Sequence, residues 1–157
     1  VVPRDPAALS TAMLAALEAR AVLRSAGGER EVAIEDLILG YYETCIGPDE
    51  LLVEVRVPPA PGSAVYRKFR SRSSEDRPCA AVAAVDGSRG LRVVVGAVAE
   101  TPQDFPDLCD GEPAEVGARY AERIEPLSDS RGSAKYRRRV IAAEVRRAVE
   151  EVAWTRA

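Results

Sequence analysis

The densest set of groups able to do chemistry lies in one short run: Arg67, Lys68, Arg70, Arg72, Ser73, Ser74, Glu75, Asp76 and Arg77. Guanidinium groups offer several fixed donors and hydroxyls add more, so such a run can hold an anionic ligand, a phosphate above all. A solvated strand edge and loop fits the same residues. Arg137, Arg138 and Arg139 are consecutive, and three consecutive helical residues cannot share a face. They read as solvated helix surface, with ion pairs to the acidic 104–112 segment as an option. Asp49-Glu50 and Glu75-Asp76 are adjacent carboxylates too common to specify acid–base work. Gly27-Gly28 lies in a hairpin turn with no helix after it, so it matches neither a P-loop nor a dinucleotide-binding turn.

The absences narrow the chemistry further. There is no histidine, which excludes an imidazole base, a Ser-His-Asp triad and any His-containing metal site within this chain. Cys45, Cys79 and Cys109 are far apart and form no C-x-x-C pair, which argues against a zinc ribbon or an iron–sulfur cluster held by this chain alone. They read as reduced thiols of a cytoplasmic protein, or simply as small buried hydrophobes. Aromatic residues are 5% of the chain, too few for a base-stacking platform. A net charge of -3 gives no drive toward nucleic acid or an anionic membrane. No apolar run approaches the ~20 residues of a membrane span, and no basic-then-apolar signal layout opens the chain. With 157 residues, 46% hydrophobic and 30% charged, the composition suits one ordinary domain or two small subdomains.

The elements that must position these groups can be read from periodicity. Asp5-Pro6 is a good helix start, and Leu9, Met13, Leu14 and Leu17 predict a helix over 6–20. Residues 21–25 and 31–34 flank Gly27-Gly28 and predict a hairpin with a five-residue loop. A short helix over 35–39 stops at Gly40. Val53, Val55 and Val57 alternate with Glu54 and Arg56, which predicts a half-buried strand over 51–57. Pro58-Pro59-Ala60-Pro61-Gly62 cannot continue a ladder, so a border falls there, between a unit at 1–58 and one at 63–157. The second unit reads as strands over 63–70, 79–85 and 91–99, a turn-rich acidic stretch over 100–113, and helices over 114–124 and 133–153. The last helix carries the stripe Tyr136, Val140, Ile141, Val145, Ala148, Val149 and Val152. The expected fold class is α+β: a three-stranded antiparallel sheet with helices on one face. Small residues on both faces of 79–85 ask for close packing under helices. Read this way, the residues reach as far as a soluble α+β protein with one anion-facing loop.

Several segments, taken in order, resemble the flavoprotein (medium) subunit of the molybdenum hydroxylases, the family of carbon monoxide dehydrogenase and xanthine dehydrogenase. These are Asp5-Pro6-Ala7-Ala8, Tyr41-Tyr42-Glu43-Thr44, Pro48-Asp49-Glu50-Leu51-Leu52 through Arg56-Val57-Pro58, Tyr66-Arg67-Lys68-Phe69, and Asp129-Ser130-Arg131-Gly132-Ser133 with Tyr136-Arg137. The resemblance implies that residues 1–58 are the tail of an FAD-binding domain and residues 63–157 a flavoprotein C-terminal domain. It implies an oxidoreductase in which FAD takes electrons from iron–sulfur clusters and passes them to an acceptor. The molybdenum cofactor and the clusters are expected on partner subunits only. It implies that Leu52 contacts FAD with an apolar side chain and that Arg70, with Lys68 nearby, lies near the flavin. It makes 71–78 a stretch beside the isoalloxazine ring.

The departures from the family pattern are specific. The half that carries the glycine-rich pyrophosphate turns is not in this sequence, so the FAD site is incomplete here and the missing half becomes an expected partner. An acidic flavin contact of relatives aligns with Leu9, and Arg77-Pro78 replaces apolar or aromatic residues. The expected partners are therefore the iron–sulfur subunit, the molybdenum-cofactor subunit and the upstream half. The chain is not expected to be active alone. Two rival readings are a non-catalytic assembly or interaction module that holds no flavin by itself, and an unrelated small-ligand binder using the Arg67–Arg77 loop.

Overall fold

The computed structural model describes residues 11–59, 62–70, 77–87 and 89–155. The Asp5-Pro6 helix start, Leu9 and the loop residues 71–76 lie outside the described residues.

Helix α1 spans Thr11–Ala16 and ends earlier than the periodicity predicts. The stop has no glycine to announce it. Glu18 takes the left-handed conformation (φ 58°), the Ala19 N–H donates to the Leu14 carbonyl and the Glu18 N–H to the Ala15 carbonyl, both at 2.9 Å. That is a Schellman closure with glutamate where glycine usually sits. The chain then turns directly into β1 (Arg20–Ser25) and β2 (Gly28–Ala33). Ser25 pairs with Gly28, so the hairpin loop is two residues long rather than five. Glu29 and Glu31 extend the ladder because they pair across it, with Arg24 at 2.6 Å and Arg20 at 3.0 Å.

A short α2 (Ile34–Leu37) leads to the small hairpin β3 (Ile38–Gly40) and β4 (Glu43–Thr44). Strand β5 (Leu51–Arg56) completes a first sheet in the order β2-β1-β5. It is not half-buried as the valine alternation predicts: all six residues are exposed. β5 is an outer strand, and no described element packs over Val53 or Val55.

The second sheet runs β6-β7-β8-β9, formed by Ser63–Phe69, Ala80–Gly87, Gly90–Gly96 and Gln103–Asp104. It is antiparallel throughout, within the α+β class expected. Two details differ from expectation. The acidic stretch contributes a fourth, two-residue strand and a 3-10 turn at Pro106–Leu108. Helices cover both faces, not one. Ala80, Val82, Ala84, Val93 and Val95 pack against α3 (Pro113–Arg123) and α4 (Ala134–Thr155), whereas Ala83, Val85 and Val94 pack against α1. Strand periodicity of two sends alternate residues to opposite sides, and the Ala/Val composition leaves room for a helix on each.

Two expectations on the last helix change. Tyr136 is 39% exposed, at the edge of the stripe rather than in it, while Val140 through Val152 of that stripe are buried. Arg137 is not solvated surface: it is 1% exposed. Tyr120 anchors α3, its hydroxyl donating to the Val93 carbonyl at 2.8 Å. Among the described residues no helix is long and apolar enough to cross a membrane.

Gly117 sets the approach of α3 to α4. A Cβ there would fall well inside contact distance of the Ala142 backbone carbonyl, and backbone cannot swing aside. Gly117→Ala is therefore expected to destabilise the fold by about 3 kcal/mol, the upper range for overpacking. Urea titration of wild type and variant measures it.

Candidate functional site

Strand β6 divides the anion-facing run by its alternation. Val65 and Phe69 face the α3/α4 core, and Ala64 and Tyr66 face the α1 side. Arg67 lies on the α4 side and is spent there. Its Nε donates to Glu144 Oε2 at 2.9 Å and its Nη1 to Glu151 at 2.8 Å. Glu144 is buried and also accepts from Arg147 at 2.7 Å. Arg67 is a sheet–helix clamp, not an anion ligand, and that corrects the reading of the run as one anion-facing loop.

Lys68 projects to the opposite face. Its ammonium sits 5.3 Å from the centroid of the Tyr66 ring, a cation–π arrangement. Tyr66 in turn lines a cavity of about 250 Å³ between α1 and the second sheet, together with Thr11, Ile38, Pro78, Gly96 and Ala97. Arg70 follows the end of β6 and is half-buried. Leu52 lies in the other sheet, paired with Leu23, and is 44% exposed. Lys68 is thus placed over Tyr66, a wall of the cavity, with Arg70 two residues further along the chain and Leu52 on a separate outer strand.

The start of β5 is nevertheless firmly held. Arg30 grips Glu50 through two bonds, at 2.6 and 2.7 Å, and donates to the Cys45 carbonyl at 2.8 Å. Glu50 also accepts from the Gly47 N–H at 2.7 Å. The Arg30 guanidinium and that backbone donor hold its carboxyl down at about 2, so Glu50 is a structural carboxylate and not a proton donor near neutrality.

Sequence reasoning missed two features. Tyr42 is 96% exposed at the β3–β4 tip, in the left-handed region (φ 57°), and its hydroxyl accepts from Arg77 Nη1 at 3.5 Å. The nearby guanidinium lowers its phenol pKa. The sequence placed Tyr42 in a segment that carries the family resemblance, but nothing in it pointed to a meeting with Arg77. A second, larger cavity of about 560 Å³ borders Arg92, Glu18, Glu35 and Asp104. Arg92 pairs with Asp104 at 2.5 Å, Glu35 at 2.9 Å and Glu18 at 3.7 Å. Those pairs tie the first sheet's neighbours to the second sheet, and the other Asp104 oxygen, Oδ1, is buried without a partner.

The comparisons with known proteins bear on this arrangement. Residues 1–60 match the family described as the FAD binding domain in molybdopterin dehydrogenase. The chain is 30% identical to the glyceraldehyde dehydrogenase medium chain of Sulfolobus acidocaldarius, over 95% of this chain and 58% of that protein. It is 33% identical to the carbon monoxide dehydrogenase medium chain of Afipia carboxidovorans, over 93% of this chain and 56% of that one. It superposes on quinoline 2-oxidoreductase from Pseudomonas putida with a TM-score of 0.83 at 27% identity, covering 96% of this chain and 57% of that one. For carbon monoxide dehydrogenase from Oligotropha carboxidovorans the TM-score is 0.82 at 30% identity, over 96% and 58%. Over nearly its whole length the chain thus resembles the medium subunits of molybdenum hydroxylases, and its first 60 residues match their FAD-binding domain. It spans a little over half the length of the relatives it matches.

In the turn before α4, Asp129 pairs with Arg137 at 2.7 Å and accepts the Arg131 N–H at 2.8 Å. Desolvation raises its carboxyl pKa, but these donors prevail and hold it at about 2, below the ordinary 3.8. A depressed folded pKa contributes stability above the unfolded value that is lost as pH falls through the folded one. The Tm difference between wild type and Asp129→Asn is therefore expected to be constant above about pH 5 and to shrink between about pH 4 and pH 2. Thermal melts across that range check it.

Proposed function

We propose that this chain is part of the FAD-binding subunit of a molybdenum hydroxylase-type oxidoreductase, relaying electrons from iron–sulfur clusters through FAD to an acceptor. The observation that carries the reading is the common fold with medium-subunit relatives over nearly the whole chain, together with the FAD-binding-domain match at residues 1–60. The proposed division into units at 1–58 and 63–157 is supported by where that match ends.

The residues present fit one end of the cofactor. Lys68 offers a cation beside an aromatic wall, Arg70 a second one, and Leu52 an exposed apolar side chain. A flavin ring needs apolar cover and a positive charge near its polar edge, and this set supplies both. A pyrophosphate needs backbone N–H donors at a helix N-terminus, and no glycine-rich turn of that kind occurs among the described residues. Bound FAD supplies the redox chemistry, exchanging electrons singly or in pairs. The protein's part is to place Lys68 and Arg70 where they attract negative charge and to keep water from the apolar side.

Partners follow from the same reasoning. The outer strand β5 leaves Leu51, Leu52, Val53 and Val55 exposed along an unpaired edge, and an edge of this kind calls for cover. The upstream half of the flavin domain is the occupant we propose. The iron–sulfur and molybdenum-cofactor subunits are the further partners, in a cytoplasmic enzyme whose three cysteines, free here, stay reduced.

In the full-length subunit within its complex, the wild type is expected to retain FAD. Lys68→Ala is expected to weaken FAD binding about tenfold, the worth of one charge-assisted contact. Flavin absorbance after gel filtration and a binding titration read both. A full-length protein that assembles with its partners but carries no flavin would support the assembly-module reading instead.

A further inference from the structure

We infer that Arg137, clasped by Asp129, is a positioning residue for the cavity between α1 and the second sheet, its one guanidinium fixing the two backbone corners that form the rim. The ligand named in the test rests on the flavin reading above; the clasp itself is argued from geometry.

The β7–β8 ladder ends at the pair Ala81 and Gly96. Beyond it, carbonyls lose their ladder partners and need others. Arg137 supplies them. Its Nη1 donates to the carbonyl of Cys79, just before β7, and to that of Ala97, just after β8, the latter at 2.8 Å. Pro78, Gly96 and Ala97 are cavity wall, so both held carbonyls lie in or next to that wall. Ala97 sits at φ 65°, a conformation that L side chains resist, so this corner has a tendency to relax that the Arg137 bond opposes.

The arginine is itself fixed. Its Nη2 donates to Asp129 Oδ1 at 2.7 Å, and the Asp129 carboxylate also pairs with Arg131 at 3.0 Å. Asp129 and Gly132 exchange backbone bonds at 3.1 Å each, which makes a closed turn holding the carboxylate in place. The planar fork sets Nη1 on the two carbonyls and Nη2 on the Asp129 carboxylate at a fixed separation, and a lysine ammonium, a single point, does not serve both ends. A buried, fully engaged arginine is a costly way to fill a core but a direct way to fix the gap between two strand ends.

The test uses the full-length subunit in its complex. For Arg137→Lys we expect the Kd for FAD to rise about tenfold and the visible circular dichroism of bound flavin to change. Amide exchange should quicken at Cys79, which donates to the Phe69 carbonyl (2.8 Å), and at Leu127, which donates to the Val98 carbonyl (2.9 Å), while α3 amides stay unmoved. Adding Ala97→Gly removes the backbone's reason to relax and should recover part of the affinity, which a general loss of stability would not do. Unchanged flavin dichroism and unchanged exchange at the two amides would overturn the inference. Should Arg137→Lys fail to fold, Asp129→Asn decides. It keeps an acceptor for the Arg131 N–H, so about a threefold loss of FAD affinity with faster exchange at Cys79 supports the clasp, and wild-type values overturn it. Should the wild type take up no FAD, the flavin reading falls by itself, and the exchange rates at Cys79 and Leu127 still decide the clasp.

Discussion

Strand β7 is buried on both faces, and the rest of the architecture follows from that constraint. Its residues from Ala80 to Val85 are alanines and valines, each at most 4% exposed. Alternate side chains enter different cores: Ala80, Val82 and Ala84 meet α3 and α4, while Ala83 and Val85 meet α1. Larger side chains would push one helix layer away, and polar ones would lose water without gaining partners. Because α1 belongs to the first half of the chain, this strand is also what joins the flavin-family segment to the C-terminal helices.

The charged groups work within that frame. Arg67 ties β6 to α4, Arg92 ties the second sheet to Glu35 near the first, and Arg30 fixes the turn before β5. Each arginine engages more than one acceptor, which is the use its planar donor fork suits. On the α1 side of β6, Lys68 stands over Tyr66, and Tyr66 lines the smaller cavity. Alternation along one strand is what separates the two faces: Val65, Arg67 and Phe69 serve the α3/α4 side, whereas Ala64, Tyr66 and Lys68 lie on the α1 side.

How much of this was legible in the sequence depended on the range of the cause. Strand alternation and the helical stripe are local, so β6, β7, β8, α3 and α4 were read close to their true bounds. The helix stop at Glu18 escaped because its left-handed residue is a glutamate, not a glycine. Exposure of β5 escaped because alternation reports which residues share a face, not whether anything covers it. Arg137 was misread for the same reason: three arginines in a row look solvated, and only the fold brings the Cys79 and Ala97 carbonyls to the middle one. At the site, Lys68 could be singled out from its motif, but its separation from Arg67 was a matter of strand faces, and Tyr42 meeting Arg77 joins residues far apart in the chain.

The central claim is that the α1 side of β6 and the outer strand β5 face one flavin. An experimental structure of the complete subunit with FAD bound tests it most directly. The account predicts the isoalloxazine ring in contact with Leu52 and within hydrogen-bonding reach of Lys68 or Arg70. A ring bound elsewhere, with Lys68 still stacked on Tyr66 and β5 covered by protein alone, would contradict it.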